Sequence, residues 1–421
     1  MADRRPEISP YDWLVWGEGE LEQALAGGTR RRDVLAYLGE SEYALLVPLA
    51  RAAASARRNP DLCIHLIPGV MGSQLGLRRG AGEPPDLLWV DPVDVQRGRL
   101  DELSVDNDAI VSLGAAPYSY LALKLRLEAA GFTVRWADYD WRRGIDVIGA
   151  QLAARINAEP GKRHSLVGHS LGGLVARAAG ATAGDLIDRI VTLGTPHGGS
   201  YAALQALRGS YVSVRRVVQL DPARSAEALT ESIFARFPSL YHMLPRAAGG
   251  PDLRDAAQWP DSTPRPYAPL LAQIGGLALP APTGRLHCIV GTGFDTVTAV
   301  TREADQFRYH ITRDGDGTVP RAFAAPAGHE AWYTTTLHGE LSRDATVAAA
   351  TIDLLLGGRT QSLDRSPPTM PQGSRSITDA SLREACATKL DWATMSPADR
   401  HAWFELLNAP VAAGSVLLPG T

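Results

Sequence analysis

Apolar residues along the chain follow two rhythms. Short apolar runs bounded by turn residues occur at 61–68 (DLCIHLIP), 133–139 (TVRWADY), 164–168 (HSLVG), 189–193 (RIVTL) and 286–291 (LHCIVG). Runs of this length flanked by Gly, Pro or Asp read as buried strands. Between them the period is helical. Residues 118–130 carry Leu121, Leu123, Leu125 and Leu127, 145–156 place Ile148, Leu152 and Ile156 on one face, and 171–179 start directly after a strand. Strands alternating with helices predict a mostly parallel central sheet covered on both faces, with right-handed connections.

The departures from this alternation divide the chain. Residues 1–58 predict a helical extension, in which Tyr43, Leu45, Leu46, Leu49 and Ala50 recur at helical spacing before Arg51, Arg57 and Arg58. The α/β domain spans 59–358 and ends on an apolar helix over 345–356. About ninety residues separate the runs ending at Leu193 and beginning at Leu286, and a loop that long is rarely structureless. A partly helical cap is therefore expected at about 198–283, and a Gly-, Pro- and Asp-rich lid at about 72–113. A Pro/Ser/Gly-rich linker is expected at 359–377, followed by a helical segment at 378–421 in which Ser396-Pro397 marks a helix start. Tyr11–Trp13 recurs at Tyr139–Trp141, but three residues do not make a repeat.

Composition narrows the class. The 421 residues are 45% hydrophobic and 21% charged with a net charge of −4, an ordinary globular balance that points away from nucleic acid. Cys63, Cys288 and Cys386 show no C-x-x-C spacing, so neither a metal site nor a disulfide framework is expected, and Cys63 and Cys288 read as buried thiols. No cofactor motif is found. The N-terminus lacks an apolar leader core and no apolar stretch reaches spanning length. A cytoplasmic protein touching membranes only peripherally is the expectation.

Chemistry concentrates at Gly168-His169-Ser170-Leu171-Gly172, a G-x-S-x-G pentapeptide between the apolar Ser165-Leu166-Val167 and the small-residue Gly173-Leu174-Val175-Ala176. In an α/β-hydrolase this pentapeptide forms a strained strand-to-helix turn that lifts the serine hydroxyl out of the sheet, and a side chain at either glycine would collide with a neighbouring element. His169 reads as packing. The acid and the base follow the serine in chain order. Asp316, directly before Gly-Thr-Val-Pro, is the preferred acid, with Asp314 in reserve; a calcium loop starting at Asp314 fails because its twelfth residue is Ala325. His338, between the run 332–335 and the last core helix, is the preferred base and His329 the alternative. His287 reads as a core histidine, and His197 precedes the acid. One oxyanion donor is expected at Leu171, the other at Val70 or, failing that, Met71. Tyr139-Asp140-Trp141-Arg142 lines the site mouth or fixes a loop through an Asp140–Arg142 pair. Trp89 touches substrate or packs the lid.

These pieces fall into a familiar order. Residues 67–75 (IPGVMGSQL), 88–92 (LWVDP), 139–142 (YDWR), 168–173 (GHSLGG), 193–200 (LGTPHGGS), 238–241 (PSLY) and 315–320 (GDGTVP) resemble the lecithin:cholesterol acyltransferase-like lipases over about 61–356. The resemblance implies an α/β-hydrolase with cap and lid insertions, a Ser170–Asp316–His338 triad, and backbone donors at Val70 and Leu171. It implies a serine hydrolase that cleaves or transfers acyl groups of lipid-like esters. The lid lacks the cysteines that pin it in animal members. The resemblance does not reach 1–58 or 360–421, and these ends suggest a second reading, in which a hydrolase-fold effector or scaffold docks a protein partner through its terminal helices.

Overall fold

The computed structural model describes residues 7–408 apart from 18, 247–249, 275–284, 371–372 and 385–387. Met1–Pro6, on which the reading of the N-terminus rests, and Cys386 lie outside the described residues. Twelve strands are described: β1 Asn59–Ile67, β2 Ser73–Leu77, β3 Asp86–Trp89, β4 Val111–Ala115, β5 Phe132–Trp136, β6 Arg163–His169, β7 Ile187–Leu193, β8 Leu286–Gly291, β9 Thr296–Arg302, β10 Phe307–Thr312, β11 Glu330–Thr334 and β12 Arg375–Thr378. Six form one sheet in the order β11-β8-β7-β6-β1-β5, and every pairing in it is parallel.

The two-residue period of a strand explains why both faces of this sheet are apolar. Leu166, Ile190 and Cys288 join the core beneath the helices Ile145–Asn157 and Leu171–Ala183. Their neighbours Val167, Val191 and Ile289 pack on the opposite face with the helices Pro117–Ala129 and Ala345–Gly357. The helix Pro117–Ala129 is apolar nearly all round because it is sandwiched. Leu123 and Leu127 face the sheet, while Leu121 and Leu125 meet Val34, Leu38 and Leu46 of the helix Arg31–Ser55. The N-terminal extension is thus a third layer on the domain. Lys124 is buried in it between Glu22 and Glu128, at 2.9 and 2.8 Å.

The lid folds as a small antiparallel sheet, β3-β2-β4. Charge holds it where no cysteine is present. Arg142 is completely buried and clasps Asp140 through Nε and Nη2 at 2.8 and 2.7 Å, and it also donates to the carbonyls of Leu103, Ser104 and Asn107. Of the two readings of the Tyr139–Arg142 motif, its two charged residues follow the structural one. The cap carries the helices Tyr201–Leu207, Val212–Gln219, Ala226–Ser232, Pro238–His242 and Ala268–Ile274.

Two expectations change. The antiparallel pair β9–β10 has no counterpart in the pattern reading, and the segment read as a linker ends in β12, which pairs with β10 from Arg308↔Thr378 to Ile311↔Arg375. The C-terminal segment is likewise anchored: buried Asp379 accepts from Arg208 Nε at 3.0 Å and from the Tyr309 hydroxyl at 2.6 Å. Trp392, Trp403 and Phe404 stack in a ring cluster with Tyr11 from the other end of the chain. Pro/Ser/Gly content reports low helical propensity, whereas an edge strand is decided by a distant partner.

Candidate active site

Ser170 sits between β6 and the helix Leu171–Ala183 with φ 53° and ψ −126°. Among the described residues only Arg30, Met71 and Ser170 have positive φ without being glycine, so two of the three belong to this site. The strain is held by close packing. A Cβ on Gly168 would lie 2.5 Å from Gly172 O, and one on Gly172 would lie 2.3 Å from Ile67 O. The Ser170 amide donates to Leu193 O at 2.9 Å, tying the turn to β7.

Asp316 and His338 come together. His338 Nδ1–H donates to Asp316 Oδ2 at 2.8 Å, and the His338 amide donates to Asp316 O at 2.9 Å. The second carboxylate oxygen accepts from the amides of Thr318 and Val319 at 3.0 and 2.7 Å. The turn Asp316-Gly317-Thr318-Val319 supplies these two amides, so the Gly-flanked loop itself fixes the carboxylate. Gly194, with φ +55°, leaves room for the pair: a Cβ there would come within 2.9 Å of Asp316 Oδ2 and 3.0 Å of His338 Nδ1.

Ser170 and His338 line one cavity of about 110 Å³, together with Gly69, Val70, Met71 and Leu240. Among the described residues no hydrogen bond joins the Ser170 hydroxyl to His338. Such contacts are often long before substrate binds. Asp314 is occupied elsewhere, held by Arg321. His329 is a half-exposed loop residue that hydrogen-bonds Pro326 O through its amide. His197 is partly buried and bonded to Arg177 and Thr192, and His287 lies in β8.

The backbone of the loop 68–73 is satisfied nearly everywhere. Pro68 O accepts from Tyr139 Oη at 2.7 Å, Gly69 N–H donates to Tyr120 Oη at 2.9 Å, and Gly69 O accepts from Gly72 N at 3.1 Å. Met71 O accepts from Trp89 Nε1 at 3.2 Å, Gly72 O from Ala116 N at 2.9 Å, and Ser73 O from Trp141 Nε1 at 3.0 Å. The amides of Val70, Met71 and Leu171 donate to no described acceptor. Both sequence candidates for the loop donor, Val70 and Met71, therefore stay available, and Trp89 holds the loop that presents them.

His169 is more than packing. Its Nε2 lies 2.9 Å from His338 O and its Nδ1 lies 3.0 Å from Tyr120 Oη. With the proton on Nε2, a directional chain follows: Gly69 N–H to Tyr120 O, Tyr120 O–H to His169 Nδ1, His169 Nε2–H to His338 O. The chain joins the loop 68–73 to His338. Burial, reinforced by the neighbouring His338, pushes the His169 pKa down to about 3, so it stays neutral. Burial also raises the Tyr120 phenol, which keeps its proton. Tyr120 carries no motif and was legible only as a helix residue.

The Ser170 cavity shares Val70, Met71, His169, Ala202, Tyr211, Thr318 and His338 with a larger one of about 440 Å³. Its walls include Tyr37 of the N-terminal extension, Trp89 of the lid, Val212 of the cap and Phe404 of the C-terminal helix. Described residues of both terminal segments thus line this cavity. Among the described residues no helix is long and apolar enough to cross a membrane.

Comparison with known proteins finds partial and distant likenesses. Residues 145–233, which hold Ser170 but neither Asp316 nor His338, match the family model "PGAP1-like alpha/beta domain". The chain is similar to a structure described as the Tle4-Tli4 complex, at 15% identity over 70% of this chain and 98% of that one, with a TM-score of 0.42. It is similar to the mature form of the Bacillus licheniformis lipase BlEst2, at 14% identity over 71% and 94% with a TM-score of 0.37. A third similar structure is the metagenomic carboxyl esterase MGS0156, at 14% identity over 67% and 66% with a TM-score of 0.30. The chain's own topology is α/β-hydrolase-like: a six-stranded parallel sheet flanked by helices, with added antiparallel sheets.

Proposed function

We propose that this chain is a serine carboxylic-ester hydrolase of the lecithin:cholesterol acyltransferase-like kind, working on lipid-like acyl esters through an acyl-enzyme on Ser170. The observation that carries the reading is a strained serine sharing one cavity with a carboxylate-bound histidine. His338 takes the Ser170 proton as the hydroxyl attacks the ester carbonyl, and Asp316 stabilises the imidazolium. The oxyanion is held by Leu171 N–H and Val70 N–H, and His338 then protonates the leaving alcohol. Water or a second alcohol attacks the acyl-enzyme, so the proposal includes acyl transfer.

The larger cavity supports an acyl chain as the occupant, because Tyr37, Trp89, Val212 and Phe404 give it apolar walls. Each buried methylene stabilises binding by about 0.8 kcal/mol, about fourfold. This use of the terminal segments is favoured over docking because residues of both, Tyr37 and Phe404 among them, line the cavity. The test is a fluorophosphonate probe beside a p-nitrophenyl ester series of increasing chain length. Wild type should label and should prefer longer chains, and Ser170→Ala should do neither. Identical behaviour of the two proteins would end the proposal.

A further inference from the structure

Along the middle of β1 and at the start of β6, three donor side chains come together. Cys63 and His65 are two residues apart on β1, so both project from the same face. In the ladder Cys63 stands opposite His164 of β6. His65 Nε2 lies 3.1 Å from His164 Nδ1 and 3.9 Å from Cys63 Sγ, and the three donor atoms all fall within 4.8 Å of one another. All three residues are buried. Tetrahedral ligands at ordinary Zn–N and Zn–S lengths stand about 3.3–3.6 Å apart, inside the observed spread.

The outer contacts fit as well. His164 Nε2 lies 3.1 Å from Glu159 O, in the turn after the helix Ile145–Asn157. A proton on Nε2 satisfies that carbonyl and leaves the Nδ1 lone pair aimed at the cluster. A ligating histidine almost always has such a bond on its other nitrogen. Without a metal, His65 Nε2–H donates to His164 Nδ1, so the cluster is stable in either state.

We propose that Cys63, His65 and His164 form a binding site for one thiophilic d10 cation, Zn²⁺ or Cu⁺, which clamps β1 to β6. On binding, the Cys63 thiol releases its proton to solvent, and the thiolate and two neutral imidazoles become ligands. The complex carries one net positive charge with Zn²⁺ and none with Cu⁺. Spacing rules along the chain do not find such a site, because its ligands come from positions two apart on one strand and from a strand 99 residues further on.

The full chain, fully reduced, is dialysed against Zn²⁺ and, anaerobically with ascorbate, against Cu⁺, beside Cys63→Ala and His164→Gln. Bound metal is read by mass spectrometry and Tm is recorded. Wild type should hold one equivalent of one of the two cations with a raised Tm, and each variant should bind at least tenfold more weakly. Which cation is retained identifies the natural class. Co²⁺ in place of Zn²⁺ should give a thiolate-to-metal charge-transfer band. No retention by wild type, or equal retention by Cys63→Ala, overturns the site. If the variants do not fold, absence of both the thiolate band and Cu⁺ retention in wild type overturns it.

Discussion

Tyr120→Phe removes one oxygen from the middle of the proposed machinery. That oxygen accepts from Gly69 N–H at 2.9 Å and donates to His169 Nδ1 at 3.0 Å, and Tyr120 is 3% exposed. Phenylalanine keeps the ring packing but leaves an amide and an imidazole nitrogen unpartnered. A buried unsatisfied group costs about 1–3 kcal/mol, so the expected loss of stability is about 2–6 kcal/mol. The catalytic effect comes through position. Gly69 precedes the candidate donors at Val70 and Met71, and deleting an oxyanion donor outright costs about 2.7–4 kcal/mol in the barrier. A shifted loop forfeits about half of that, which is a ten- to thirtyfold fall in kcat. KM should stay close to wild type, because the substrate-facing ring is retained. Urea unfolding followed by tryptophan fluorescence gives the stability, and p-nitrophenyl ester kinetics give kcat and KM. A large stability loss with kcat within twofold of wild type would refute the idea that this hydroxyl positions the oxyanion loop. No change in either would show that the two hydrogen bonds contribute nothing.

Two further outcomes follow from the same packing. Gly194→Ala should lower kcat at least a hundredfold while the chain stays folded by circular dichroism, because the new methyl meets both partners of the Asp316–His338 bond and φ is +55°; activity within threefold would mean that the pair shifts without penalty. Stability should fall with acid through His169: its folded pKa of about 3 lies below the ordinary 6.5, so the unfolded chain takes up a proton that the folded one refuses. This contribution is complete above about pH 6.5 and is lost as pH falls toward 3, by up to about 1.4 kcal/mol per unit. Urea midpoints from pH 7 to 4.5 should drop less steeply in His169→Gln, and an unchanged slope would place the acid sensitivity elsewhere.

The sheet was legible because its evidence is local. Each of the five apolar runs is long enough to be a strand, is punctuated by turn residues, and coincides with β1, β5, β6, β7 or β8. The elbow was legible for the same reason: Gly168 and Gly172 are required by atoms a few residues away or on the adjoining strand. The β9–β10 pair and β12 were not, because Arg375–Thr378 becomes a strand only by pairing with Phe307–Thr312.

From the sequence alone came the α/β architecture, the Ser170 turn, and a short set of acids, bases and amides ordered by the logic of the fold. Folding decided which of these side chains meet. It set Asp316 rather than Asp314 against His338, gave Arg142 to the lid, and joined Gly69, Tyr120, His169 and His338 in one hydrogen-bonded line. It also brought both ends of the chain to the cavity and set Cys63 and His65 beside His164. The reason is physical: periodicity and turn chemistry act over a few residues, while hydrogen-bond partners and cavity walls are chosen by elements a hundred residues apart that meet only when the core closes.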